Sequence, residues 1–302
     1  MNIAILSHNP SLYSTQKLMS TGQARGHRMR LIDHMKCYLI VEREKPRIIY
    51  LDEPLEDMEA VIPRIGASVS FFGIAVVRQF EMMKVYTVSG ADGLMQARSK
   101  FQAAQILSMS GIPVPRTAFP HYTQDVRQII AAVGGAPVVV KVLEGTHGLG
   151  VMLAETQQMA EMMIETLYKL KAKFVVQEFI RESSGRDLRA FVIGDEVVAS
   201  MTRQARTGDF RSNLHRGGNG VATDLTPIER ETAVRAAKAV GLSVAGVDML
   251  MSHNGPLVLE VNSSPGLEGI EKVTGIDVTA RIFEHVERQV LLRNPALTLT
   301  NG

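Results

Sequence analysis

Residues 246–262 restrict the fold more than any other stretch. GVDML and LVLEVN, both rich in β-formers, flank SHNGP, in which Asn254-Gly255 is a strong hairpin signal. Both runs are apolar except for acidic and amide residues set among valines and leucines. Side chains alternate faces along a strand, so Glu260 and Asn262 share one. A hairpin symmetric about residue 254 sets Asp248 opposite Glu260. Like charges at adjacent cross-strand positions repel, so a cation between them is expected. Oxygen donors without His or Cys suit magnesium, which commonly binds substrate phosphates as well. The plainer alternative is a solvated sheet face with a turn-capping asparagine, and the apolar neighbours on both sides weigh against it.

Around this hairpin the chain alternates strands and helices. Strands are expected at Ile3–Leu6, Met29–Asp33 and Ala60–Ile65, with helices over Gln16–Arg25 and near Phe71–Met83. That order points to a small parallel α/β unit over residues 1–95. SHNPSLYS follows its first strand where a glycine-rich nucleotide fingerprint would stand, so nucleotide binding there is not expected. A helix over Arg98–Ser110 ends at Gly111, and Pro113 and Pro115 bar its continuation. Residues 96–184 then carry strands at Val138–Val142, Val151–Ala154 and Phe174–Ile180 and a helix over Gln157–Leu170; 185–302 form a last unit holding the hairpin. In it, strands Leu188–Ile193 and Val197–Arg203 flank the turn GDE, Thr226-Pro227-Ile228-Glu229 is a capping box, and Val278, Ile282, Val286 and Val290 mark an amphipathic final helix.

EGTHGLG, between two of these strands, fits neither a Walker A loop, which needs Lys and Ser or Thr after Gly150, nor a Rossmann turn, which leads into a helix. It is expected to be a flap whose backbone N–H groups cover phosphates, or else a plain hairpin loop. Lys141 lies among valines on the preceding strand, where an unpaired ammonium is costly; a nucleotide phosphate would pair it, and a snorkelling edge lysine is the alternative. From Arg181 to Arg216 there are seven arginines, no lysine and five acidic residues. Ordinary ion pairing is expected for Arg181, Arg186 and Arg206, and ligand contact for Arg203, which ends an apolar strand, and for Arg211. His147 and His215 have no metal-ligand spacing.

The bulk numbers narrow the function classes. With 33 basic and 31 acidic residues among 302, no whole-chain field favours nucleic acid. Cys37 is the one cysteine, so no intrachain disulfide forms and a reducing compartment fits. The N-terminus lacks signal-peptide character, and no 18-residue apolar run occurs. A soluble cytoplasmic protein without a membrane partner is expected.

Lys100 with LSMSGIPVPRT, VVVKV with its glycine loop, VVQEFI, and Asp248 with EVNSSPG together resemble the ATP-grasp superfamily over about 96–290. PRIG, RQFE, EGTHGLGV, DFRSNLHRGG and NSSPGLEGIEKVTGID resemble the RimK-type family through nearly the whole chain. The resemblance implies an α/β ATP-grasp fold behind an N-terminal pre-ATP-grasp unit, in a homo-oligomer. It implies an ATP-dependent ligase adding glutamate to the C-terminal tail of a small-subunit ribosomal protein through an acyl phosphate, releasing ADP. It places Lys100 and Lys141 on the nucleotide phosphates, Gln177, Glu178, Phe179 and Ile180 against adenine, and Asp187 on the ribose. Arg211, Ser212 and Asn213 would lie near phosphates and metals. Asp248, Glu260 and Asn262 would bind two magnesium ions (manganese as an alternative), with Glu260 bridging. Arg203 is expected on the acyl phosphate. Ser99-Lys100 stands where the family often has Asp-Lys, and Ser89 where it often has asparagine. Two other readings remain: a ligase for a free amino acid or cofactor precursor, and a non-catalytic ATP-binding, ribosome-associated module.

Overall fold

The computed structural model describes residues 1–121, 125–143, 150–206 and 218–293. The first segment contains β1 (Asn2–Leu6), α1 (Tyr13–Ala24), β2 (Arg28–Ile32), β3 (Cys37–Ile40), β4 (Arg47–Tyr50), β5 (Glu53–Pro54), β6 (Ala60–Pro63), α2 (Ser70–Met82) and β7 (Tyr86–Thr87). Strands β2, β1, β6 and β7 form a parallel sheet in that order. A parallel sheet is covered on both faces, which is why β1 is apolar and buried from Ile3 to Leu6. Ile3 and Ile5 enter one core with Leu18 and Phe283, and Ala4 and Leu6 enter another with Val76, Val77 and Phe80. β3, β4 and β5 build a separate antiparallel sheet that the strand–helix alternation did not anticipate.

The helix expected over Arg98–Ser110 is present as Lys100–Met109, and a second helix that the sequence reading did not anticipate precedes it. α3 (Ala91–Arg98) ends and α4 (Lys100–Met109) begins at Ser99, whose backbone is extended (φ −87°, ψ 98°) and whose Oγ accepts from the Gln102 N–H at 3.3 Å. Serine favours this capping position, as aspartate does, and the break puts Lys100 at the first helical position. After it come β8 (Thr117–Ala118), α5 (Val126–Ala132), β9 (Val138–Val142), β10 (Val151–Ala154), α6 (Gln157–Lys169) and β11 (Phe174–Glu178). Their sheet runs β10-β9-β11-β8 and closes its own core, with Ile130, Val140, Ile164, Phe174 and Val176 inside.

The remaining elements are β12 (Arg186–Ile193), β13 (Glu196–Gln204), β14 (Asn219–Ala222), α7 (Pro227–Ala239), β15 (Val244–Ser252), β16 (Gly255–Asn262), α8 (Glu268–Thr274) and α9 (Val278–Arg293). The sheet is antiparallel in the order β14-β13-β12-β15-β16. α7 begins with the expected capping box, Thr226 Oγ1 and the Glu229 carboxylate each bonding the other's backbone N–H. Its alanines pack with Leu188, Ala190, Val192, Val247 and Met249, one face of the sheet. On the other face Phe191 and Met201 meet α9, whose Val278, Ile282, Val286 and Val290 are all buried. Farther along that same face stand Asp187, Arg189, Arg203, Asp248 and Glu260, so alternation separates an apolar end from a charged one. A continuous core joins Leu6 and Val61 of the N-terminal sheet to Val247 and Val261. Among the described residues no helix is long and apolar enough to cross a membrane.

Candidate active site

Asp248 and Glu260 do face each other across β15 and β16, by a different route from the symmetric turn. Ser252 pairs with Gly255, which centres the turn between His253 and Asn254; that register alone would put Leu259 opposite Asp248. A bulge between Asp248 and Met249 adds one residue on β16 and brings Glu260 into place. One extra residue turns every later side chain to the other face, so the bulge decides that a carboxylate rather than a leucine lies beside Asp248.

Asp248 is 4% exposed and is neutralised by arginines. Arg189, directly opposite it on β12, donates through Nε and Nη2 to its two oxygens at 2.6 and 2.5 Å. Arg203 Nη2 lies 3.0 Å from Oδ2. Burial pushes the Asp248 carboxyl up, but the two guanidiniums outweigh it and hold the group below its ordinary value. Asn262 Nδ2 donates to Gly246 O at 3.3 Å and to Asp248 Oδ2 at 3.4 Å. Glu260 takes Lys100 Nζ at 2.5 Å. The site therefore offers two carboxylates and one amide, all hard oxygen donors, with no cluster of three or more His, Cys, Asp or Glu among the described residues. That donor set fits magnesium once the cations now on it are displaced.

Arg203 is not the free strand-end group that its sequence position suggested. It is 4% exposed and bonds Asp187 through Nε at 2.7 Å and Nη2 at 2.5 Å. Burial would pull its guanidinium down, and Asp248 and Asp187 more than compensate, so it stays firmly protonated. Asp187, expected on a ribose, is 5% exposed beneath that arginine. Register explains the pairing: Asp187 lies opposite Arg203 on β13, as Arg189 lies opposite Asp248.

Lys141, on β9, donates to Gln177 Oε1 on β11 at 2.6 Å, and Gln177 Nε2 donates to Thr117 Oγ1 at 2.8 Å. Burial pulls the Lys141 ammonium down to about 8, with Glu260 holding it up and Lys100 pushing it further down. Lys100, Lys141 and Glu260 thus act on one another across the gap between the two ATP-grasp-like sheets. Glu178 accepts from the Arg116 N–H at 2.9 Å and from its Nε at 2.6 Å, Phe179 is partly buried, and Ile180 is buried. Arg211, Ser212 and Asn213, like residues 144–149 of the glycine loop, lie outside the described residues. Gly150, which ends that loop, has φ +79°, and a Cβ there would meet Val142 Cβ at 3.0 Å. Arg189 was missed from sequence, although Asp187-Leu188-Arg189 sets a carboxylate and a guanidinium two apart on one strand face.

The chain matches the RimK-like ATP-grasp domain over residues 97–286 and the RimK PreATP-grasp domain over residues 1–94. Probable alpha-L-glutamate ligase 1 of Hahella chejuensis is 53% identical over 302 residues, covering 100% of this chain and 99% of that protein. Probable alpha-L-glutamate ligase of Ectopseudomonas mendocina is 54% identical over the same length, with 100% and 99% covered. A solved structure of the ATP-grasp ligase PsnB complexed with minimal precursor, Mg and ADP has a TM-score of 0.75 at 21% identity, covering 96% of this chain and 98% of that one. At that identity the likeness is one of fold.

Proposed function

The chain belongs to the RimK-like ATP-grasp family and is an ATP-dependent ligase, and from that premise we propose that it joins glutamate to the C-terminal carboxylate of a small-subunit ribosomal protein. The names of the relatives, which cover the whole chain, support glutamate as the substrate. The observation that carries the chemistry is the cross-strand pair Asp248–Glu260 with Lys100 and Lys141 beside it. Two carboxylates and Asn262 would hold two magnesium ions. Bound magnesium supplies positive charge to the β- and γ-phosphate oxygens during phosphoryl transfer.

In this reading a carboxylate oxygen of the acceptor attacks Pγ, the bond from Pγ to the bridging oxygen breaks, and ADP leaves. The glutamate amine then attacks the acyl carbon, the carbon–oxygen bond to phosphate breaks, and the nitrogen loses a proton. Lys100 and Lys141 neutralise the phosphates. Arg203 and Arg189, which hold Asp248, would be the guanidiniums available to the acyl phosphate when Asp248 serves as a metal ligand. Gln177 to Ile180 would line the nucleoside side and Arg211, Ser212 and Asn213 the phosphate side, while Asp187, expected on the ribose, is buried under Arg203 and instead positions that guanidinium. Boundaries at 95/96 and 184/185, a cytoplasmic location and a homo-oligomer complete the reading. The test incubates the enzyme with ATP, glutamate and ribosomal proteins. We expect ADP on chromatography and added glutamate residues on one small-subunit protein by mass spectrometry; stoichiometric AMP, or no modified protein, refutes it.

A further inference from the structure

Two guanidiniums near the site remain without a carboxylate. Arg64 stands just past β6, at the carboxyl edge of the N-terminal parallel sheet, where ligands of open α/β sheets bind. Its Nη2 donates to Pro265 O at 2.8 Å, in the turn three residues past Asn262. Arg98, at the end of α3, donates through Nη2 to Ile65 O, the carbonyl next along from Arg64. Neither makes an ion pair with a described carboxylate. Burial pulls Arg64 down to about 10, and burial lowers Arg98 as well, with the Glu260 charge opposing that. A second observation lies on the same turn: Ser264 Oγ is buried with no hydrogen-bond partner.

A desolvated cation without a counter-charge is costly, and Arg64 meets only the Pro265 carbonyl, on a turn that also carries the unpartnered Ser264 hydroxyl. Other described arginines at the site have a carboxylate: Arg189 and Arg203 hold Asp248, and Arg116 holds Glu178. Lys100 and Lys141, across Glu260, already serve the phosphates in the reading above, and the planar fork of arginine matches a carboxylate two-pronged. Ligation activates the acceptor's carboxylate and uses the glutamate's amine, leaving two glutamate carboxylates that do not react and must be neutralised. The turn that Arg64 clasps follows directly from the strand carrying Glu260 and Asn262, so this guanidinium is tied to the same segment as the candidate metal ligands.

We propose that Arg64 binds a non-reacting carboxylate of the glutamate substrate, so that the N-terminal unit reads the amino acid while the ligase unit holds ATP. This rests on the glutamate-ligase reading. The test is a binding cycle on the full chain saturated with magnesium and a non-hydrolysable ATP analogue. L-glutamate, its α-amide and its γ-amide are titrated into wild type, Arg64→Gln and Arg64→Lys. We expect Arg64→Gln to weaken glutamate by about 30-fold or more, the scale of one desolvated charged contact, with nucleotide affinity within about twofold. One of the two amides should lose as much against wild type and almost nothing further against Arg64→Gln, which also identifies the carboxylate. If Arg64→Gln does not fold, Arg64→Lys carries the same cycle, keeping the charge and losing the fork. Glutamate binding to wild type with additive losses for both amides overturns the proposal alone. If wild type binds the ATP analogue but none of the three amino acids, the glutamate reading falls and takes the proposal with it.

Discussion

Arg203→Met tests how the charged end of the sheet is held together. The substitution removes a guanidinium that is 4% exposed and leaves its shape roughly filled. It strips two bonds from Asp187, at 2.7 and 2.5 Å, and one contact at 3.0 Å from Asp248, two carboxylates only 5% exposed. Asp248 keeps Arg189, so the main loss falls on Asp187. Breaking one side of a buried pair costs about 3–5 kcal/mol, because the remaining charge cannot return to water. At roughly 2 °C per kcal/mol for a chain of this length, the melting temperature should fall by about 6–10 °C. Removing the carboxylate as well, in Arg203→Met/Asp187→Leu, should recover at least half of that loss, since two apolar partners cost far less than a buried carboxylate that has lost its guanidinium. Differential scanning calorimetry without nucleotide reads both changes. A fall of less than about 2 °C, or a double variant that loses the full sum, would show that the pair is not the buried, mutually dependent unit described.

Glu260→Gln should abolish ADP release while the melting temperature moves little, because the Lys100–Glu260 pair is 36% exposed on each side and such pairs contribute at most about 1 kcal/mol; unchanged ATP consumption would sink the metal assignment. The Lys141 ammonium is lowered from 10.5 to about 8, so ATP affinity should weaken as pH climbs through about 8, a dependence that Lys141→Arg should flatten. Over the same window the folded chain carries fewer protons than the unfolded one, so this group makes stability rise with pH; an identical affinity profile in Lys141→Arg would rule the lysine out. His34 is fully buried with both ring nitrogens unpartnered, and burial lowers its value from 6.5. Its neutral form favours the fold, so the stability it contributes is complete above about 6.5 and is lost as pH falls below that; urea midpoints from pH 7.5 to 5.5 should drop in wild type and drop less in His34→Phe. Equal slopes in the two proteins would contradict this.

Signals carried within a few neighbouring residues were legible in the sequence. The apolar run of β1, the existence of a hairpin near Asn254-Gly255 (though its turn centres one half-step earlier, between His253 and Asn254), the Thr226 capping box and the four-residue spacing of α9 each act through local geometry, so they specify elements before any packing is known. The chemistry of Asp248, Glu260 and Lys141 was visible for the same reason, since a charge among valines needs a partner wherever the strand lies. Which partner it meets is a different matter. Arg189 and Arg203 reach Asp248 because β12 lies between β13 and β15, and nothing near residue 189 in the chain states that order. The one-residue bulge that sets Glu260 opposite Asp248 depends on pairing along the whole hairpin, and Arg64 meets the Pro265 carbonyl only because a shared core presses the N-terminal sheet against the C-terminal one. Local sequence determined the elements and the charges that had to be satisfied; tertiary structure chose their partners, because strand order, register and domain packing bring together groups that share no neighbourhood along the chain.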